Sequence, residues 1–299
     1  MRRVVLILFL VFPFFCLIAQ ERVFYIDNDS IRDLYEQAIS DKNILKPQRL
    51  MISEEEVVRM VDKLPSFGVF RDTYFITGIP LNKKTNPSNA DITFQISIRQ
   101  RLTKSVLPYN TFLYLTYSQK SFWNAYSESS PFRDTNYNPG IGIGKSIVHN
   151  NRLLGGVFFQ LMHESNGRED IYSRSWNYIS LSGKYFLNAR VNLAAEVWIP
   201  WVDGENNRDL LDYRGIGYIS TNFTADRHKW WFSAKINPRK GFININTELT
   251  AGFKLSTSSN QYLYARLYNG YGESLLDYNQ YSLNFRIGIC IKPDFYSIF

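Results

Sequence analysis

The chain is poor in cysteine, in histidine and in long apolar runs. Two cysteines occur in 299 residues, Cys16 inside an apolar leader and Cys290 near the end. Once the leader is removed a single thiol remains, which excludes an intrachain disulfide and leaves stability to other forces. After residue 18 no apolar run reaches the roughly 18–20 residues that a membrane-crossing helix needs. Basic residues are dispersed rather than clustered, so a nucleic-acid groove finds no support. Histidine stands only at positions 149, 163 and 228.

What is present begins with a targeting segment. Arg2 and Arg3 precede an apolar run from Val4 to Ile18, then Ala19-Gln20-Glu21. That is the pattern of a secretory signal, and residues 1–20 are assigned to it, with cleavage near Ala19 or Gln20. A lipid anchor on Cys16 is a poor match, because Pro13-Phe14-Phe15 precede it. The formal charge of +7 then loses Arg2 and Arg3, giving 7 − 2 = +5. Acidic lipid headgroups or lipopolysaccharide suit a neighbour of that charge. Aromatic residues reach 16%, with 20 Tyr and 22 Phe, yet the mean hydropathy is only −0.24. A soluble all-β protein and a membrane β-barrel both combine those properties, so periodicity has to separate them.

Ile92-Thr93-Phe94-Gln95-Ile96-Ser97-Ile98-Arg99-Gln100 alternates apolar and polar residues at every step. A period of two predicts a strand with one greasy and one polar face. Comparable segments recur at about 72–79, 110–120, 137–148, 152–163, 175–186, 190–201, 211–223, 228–238, 243–256, 260–269 and 281–291. With 91–102 they make twelve. Many reach the length that a tilted membrane crossing requires.

The connections alternate as well. Short turns are expected near Asn150, Asn188, Asp226 and Ser258, and longer loops at 80–90, 121–136, 164–174, 202–210 and 270–280. Segments 103–109 and 239–242 blur the contrast. Short periplasmic turns, longer outer loops and an even strand count belong to outer-membrane barrels. Closure satisfies backbone groups that hydrocarbon would leave unpaired. The fold expected is all-β: a twelve-stranded antiparallel transmembrane β-barrel over 71–299, with an N-terminal periplasmic extension over 21–70. The extension is partly helical, since Ser53-Glu54-Glu55-Glu56 before Val57-Val58-Arg59-Met60-Val61 forms a capping-box start. Asp29 to Tyr35 predicts a second helix. Phe299 fits the aromatic ending of such barrels, although Pro293 separates it from the last strand.

Against that frame, His163-Glu164-Ser165-Asn166-Gly167-Arg168 and Ser173-Arg174-Ser175-Trp176-Asn177 stand out. On a strand, residues two apart project from one face, so His163 and Ser165 are side by side. A hairpin over 164–174 returns Asn177 beside His163. Nucleophile, base and orienting group then share one surface, as in acyl transfer. Phe159 and Leu161 share parity with His163 and Ser165, which puts the group on a lipid-facing stripe. A lone surface histidine carries no such meaning. His149 and His228, at short turns, are expected to be solvated, as are Glu169 and Asp170. Trp123, Trp198 and Trp201 are expected as membrane-interface anchors.

Several stretches taken in order resemble the outer membrane phospholipase A family. They are Tyr117-Ser118-Gln119-Lys120-Ser121-Phe122-Trp123, then Glu128-Ser129-Ser130-Pro131-Phe132-Arg133-Asp134-Thr135-Asn136-Tyr137, the two segments just quoted, and Gly270-Tyr271-Gly272-Glu273-Ser274-Leu275-Leu276-Asp277-Tyr278-Asn279. The resemblance spans about 70–292 and leaves 21–65 outside it. It implies a barrel of the bacterial outer membrane, active as a homodimer, that hydrolyses acyl esters of phospholipids (A1/A2 type) and needs calcium. By matching position, Ser165 is the nucleophile, His163 the general base and Asn177 the group that holds the imidazole. Ser129, Arg168 through its carbonyl, and Ser173 match the calcium ligands, with Ser129 coming from the partner subunit. Gln119 matches a polar residue at the dimer contact. Three such ligands without a carboxylate imply weak binding of calcium, in the millimolar range. Two alternatives accompany this reading: a lipopolysaccharide deacylase, and a porin-like barrel without enzymatic activity.

Overall fold

The computed structural model describes residues 22–24, 48–50, 53–149, 152–202, 205–226, 228–241, 244–256 and 259–299. Twelve strands form its body: β1 (Thr73–Pro80), β2 (Asp91–Arg101), β3 (Phe112–Trp123), β4 (Phe132–His149), β5 (Arg152–Ser165), β6 (Ser175–Asn188), β7 (Val191–Trp201), β8 (Gly217–Ala225), β9 (Trp230–Pro238), β10 (Ile245–Lys254), β11 (Gln261–Gly270) and β12 (Ser282–Ile291). Each pairs antiparallel with its neighbour in sequence, and β12 closes the sheet on β1 with Ile287 opposite Thr77. The predicted strands therefore all have counterparts.

Two boundaries differ from expectation. β4 starts at Phe132, five residues before the predicted 137. The predicted strand 211–223 divides into a short helix, Leu210–Arg214, and β8 from Gly217. Gly215 causes the division. At φ 73° its N–H bonds to the Leu211 carbonyl, and a Cβ there would lie 2.0 Å from the Pro238 carbonyl oxygen. A left-handed residue in so tight a place must be glycine.

Alternation sorts the side chains. Phe159, Leu161, Leu181, Val197, Ile199 and Ile287 stand exposed on the outer wall, where lipid replaces water. Inward positions carry polar and charged groups. Arg286 makes a two-pronged pair with Asp91 (2.7 and 2.8 Å) and bonds Glu273 at 2.7 Å. Arg266 also bonds Glu273 at 2.7 Å. Glu273 belongs to the loop 271–281, which folds back into the lumen with Leu275 and Tyr278 buried. Burial alone would raise the Glu273 carboxyl, but the Arg286 and Arg266 guanidiniums outweigh it and hold it far below the ordinary carboxylate range.

The end beyond β12 is filled differently. Residues after β12 turn inward, so Phe299 packs on Phe158, Tyr114 and Phe112 at centroid distances of 5.2, 5.5 and 5.6 Å. Phe299 thus lies inside the barrel, not at the end of its last strand. Lys184 anchors the tail through the Ser297 carbonyl at 2.6 Å. Between loop and tail remains a chamber of about 370 Å³, bordered by Glu273 on one side and Ile298 and Phe299 on the other. A loop entering the lumen from one end and a tail from the other narrow it, which disfavours the porin-like alternative.

Two further expectations are corrected by parity and packing. Trp198 faces inward, edge-on to Trp176 at 5.7 Å, whereas Trp201 is exposed on the outer wall. His228 is not solvated: its Nε2 meets the Tyr296 hydroxyl at 3.1 Å and its ring packs against Phe295. His149 is exposed, as expected. In the N-terminal extension, the helix Glu54–Lys63 opens with the reciprocal Ser53–Glu56 capping box. Its Asp62 accepts hydrogen bonds from Arg101 of β2 and from Ser105. The helix predicted over 29–35 lies outside the described residues.

Candidate active site on the barrel exterior

β5 and β6 pair so that His163 faces Asn177 and Ser165 faces Ser175. His163 Nδ1 and Asn177 Oδ1 are 2.8 Å apart. An amide oxygen has only lone pairs to offer, so the contact places an imidazole N–H on Nδ1, the tautomer whose neutral form carries its lone pair on Nε2. His163, Ser165 and Asn177 are all half-buried on the outward face. Among the described residues no hydrogen bond joins Ser165 Oγ to His163. Such contacts commonly tighten only when substrate binds.

The strands behind this face are stiffened from the lumen side. Glu164, inward between His163 and Ser165, pairs with Arg214 at 2.8 Å and accepts a hydrogen bond from Trp176 Nε1 at 3.0 Å. Asn138 of β4 donates to the His163 carbonyl at 2.8 Å. On the outer face Tyr137 stands opposite both Gln119 and Ser165. One row of side chains therefore runs from Gln119 to the candidate nucleophile. Gln119 is outward and half-buried, and accepts a hydrogen bond from Tyr117 at 2.9 Å.

The loop 166–174 carries Arg168 and Ser173. Gly167 at φ 63° starts its turn, and a Cβ there would come within 3.0 Å of the Tyr137 ring. Asn166 is 4% exposed. Its Oδ1 accepts the Arg174 and Arg168 amides at 2.9 and 3.4 Å, and its Nδ2 donates to the Tyr172 carbonyl at 2.8 Å. The Arg168 guanidinium reaches the Arg133 carbonyl. The Arg168 carbonyl and the Ser173 hydroxyl accept no hydrogen bond among the described residues, so two hard oxygens remain on one loop. Ser129 belongs to the exposed connection between β3 and β4, with φ 61°, and is not brought to these two by its own chain's contacts. No group of three or more His, Cys, Asp or Glu among the described residues can hold a metal. Any cation here must draw at least part of its shell from neutral oxygens.

The sequence reading missed Asn166, Tyr137, Asn138 and Glu164. Parity places Tyr137 on the outer face, but only the β4–β5 register sets it against Ser165.

The family profile described as Phospholipase A1 matches residues 75–291. Phospholipase A1 of Salmonella typhimurium is 30% identical over 223 residues, covering 72% of this chain and 74% of that one. The Escherichia coli protein of the same name is 30% identical over 219 residues, covering 70% and 72%. Among solved structures, outer membrane phospholipase A from Escherichia coli superposes with a TM-score of 0.68 at 26% identity, covering 77% of this chain and all of that one. A dimer of the Salmonella typhi outer membrane phospholipase with bound calcium gives 0.69 at 25% identity, covering 81% and 98%. An active-site mutant of the Escherichia coli protein, with asparagine changed to alanine, gives 0.67 at 25%, covering 80% and 95%. With the profile spanning nearly the whole barrel, the chain belongs to the phospholipase A1 family and is an integral β-barrel of the outer membrane.

Proposed function

We propose that the protein hydrolyses acyl ester bonds of outer-membrane phospholipids with Ser165, His163 and Asn177, uses calcium, and works as a dimer. The observation that carries this reading is the 2.8 Å contact between His163 Nδ1 and Asn177 Oδ1 on the lipid-facing wall, two residues from Ser165. Substrate approaching from the bilayer meets that wall; only small hydrophilic molecules would reach a site in the lumen.

Asn177 holds the imidazole with Nε2 directed at the hydroxyl. Ser165 Oγ attacks the ester carbonyl as its proton passes to Nε2, forming the Oγ–C bond. His163 then returns that proton to the departing lysophospholipid oxygen as the ester C–O bond breaks. Water, deprotonated by the same nitrogen, releases the fatty acid and restores Ser165. Asn177 keeps net charge out of a site beside lipid, but stabilises an imidazolium less than a carboxylate would. Support for the oxyanion must therefore come from elsewhere.

The Arg168 carbonyl and Ser173 hydroxyl are hard oxygens that accept no hydrogen bond among the described residues and would suit calcium, with Ser129 of the partner subunit and water to complete the shell. Bound there, calcium supplies the positive field that a developing oxyanion requires. The solved Salmonella typhi dimer with calcium supports both the cation and the pairing of copies. The asparagine active-site mutant supports the role given to Asn177.

Purified protein in phosphatidylcholine mixed micelles tests the reading. Ser165→Ala is expected to lower hydrolysis by at least ~10³-fold while the barrel stays folded, and chelation of calcium should stop the unaltered protein. Hydrolysis that persists in Ser165→Ala removes the proposed nucleophile.

A further inference from the structure

β7 ends at Trp201, opposite Asn177 of β6. Ser175, two residues earlier on β6, lies past the last β6–β7 pair. Its partner on β5 is Ser165, while Asn166 N–H bonds to the Arg174 carbonyl one step away. In that alternation Ser165 and Ser175 form a non-hydrogen-bonded pair, so the Ser175 N–H and C=O point towards the β7 side. There they meet a side chain. Asn207 Nδ2 donates to the Ser175 carbonyl at 2.8 Å, and Asn207 Oδ1 accepts the Ser175 N–H at 3.3 Å. Asn207 is 0% exposed.

We propose that Asn207 is a positioning residue for the reaction, its amide replacing a strand partner and holding the Ser173–Asn177 segment in register with His163 and Ser165. The inference rests on the reading given under Proposed function. An amide fits because one donor and one acceptor on one planar group reproduce what a strand residue offers. The segment 205–216 that carries it is held by Arg214 on Glu164 at 2.8 Å, by buried Leu210, and by Asn246 bonding the Tyr213 carbonyl at 2.8 Å. The adjoining Asn206 donates to the Asp170 carbonyl at 2.7 Å and ties the same loop to the calcium-ligand segment. Two residues on one side of Ser175 is Ser173; two on the other is Asn177. Release of Ser175 therefore loosens a cation ligand and the imidazole holder together.

The test uses the full-length protein in detergent micelles, with Asn207→Ala and Asn207→Asp. The aspartate keeps shape and acceptor but lacks the donor, and serves where alanine fails to fold. Calcium chloride binding is measured by calorimetry in a Ser165→Ala background, where turnover plays no part. Phosphatidylcholine hydrolysis is measured in the Ser165 background, and the heat-induced gel-mobility change checks the barrel. The expected result is calcium affinity weaker by ~10-fold and kcat lower by ~10- to 100-fold, at an unchanged unfolding temperature. Folded variants that keep both values within about twofold overturn the proposal. Loss of the folded barrel in both variants also overturns it, since Asn207 would then serve the fold. An unaltered protein that binds no calcium defeats the preceding reading instead, and kcat alone then judges Asn207.

Discussion

At the scale of single residues, the unusual choice is an asparagine behind the histidine. The amide accepts the Nδ1 proton at 2.8 Å and fixes the tautomer, which is the part of the work that geometry alone can do. Asn177→Ala is expected to lower kcat on the order of 10²-fold, because the imidazole turns away from the hydroxyl. KM should move little if Asn177 holds the imidazole and not the lipid, as proposed. Initial rates across a phosphatidylcholine series decide it; a normal kcat means that neighbouring contacts already hold the ring. That His163, Ser165 and Asn177 share one outward face was legible in the sequence, because a period of two fixes which side chains stand together. Asn166 and Asn207 were not. Asparagine is common in turns, and nothing local tells a residue at 207 that its partner is the main chain at 175. Only the fold of residues 205–216 creates that meeting.

At the scale of elements, the strands announced themselves through alternation, but what fills the barrel did not. Loop 271–281 enters the lumen because Arg286 and Arg266 lie on inward positions of neighbouring strands and share Glu273. No run of residues in the loop records that. The tail after β12 is a similar case, and it encloses His228 in the turn between β8 and β9. Burial pushes the His228 imidazole down to about 4, with Asp294 opposing the shift and Lys254 and Arg190 adding to it. The unfolded chain, titrating at the ordinary 6.5, binds more protons than the folded one between those values. His228 therefore leaves stability intact above pH 6.5 and erodes it as pH falls towards 4. The loss amounts to at most about 3 kcal/mol. The unfolding temperature read from gel mobility should drop between pH 7 and 4.5, and should drop less in His228→Gln. Equal slopes in the two proteins would mean that the turn opens to water before the ring charges.

At the scale of the whole molecule, the position of Ser129 sets the question. One copy brings His163 to Asn177 and puts the Arg168 carbonyl and Ser173 on the same loop, while Ser129 stands apart on the exposed connection between β3 and β4. The row from Gln119 through Tyr137 to Ser165 runs across β3, β4 and β5 towards that connection's strands. A second copy packed along this row would bring a foreign Ser129 to each site, which is how the proposed dimer completes two sites by one symmetric contact. Ser129→Ala and His163→Ala proteins, each nearly inactive alone, should then restore each other on mixing. The mixed dimer keeps one whole site: the intact His163 of the first copy beside the intact Ser129 of the second. Random pairing makes about half of the dimers mixed, each with one working site of two, so hydrolysis should return to about a quarter of the unaltered level. Cross-linking before assay establishes that mixed dimers are present. If they are, and hydrolysis stays at the level of the separate variants, each barrel completes its site alone and Ser129 acts within its own chain or not at all.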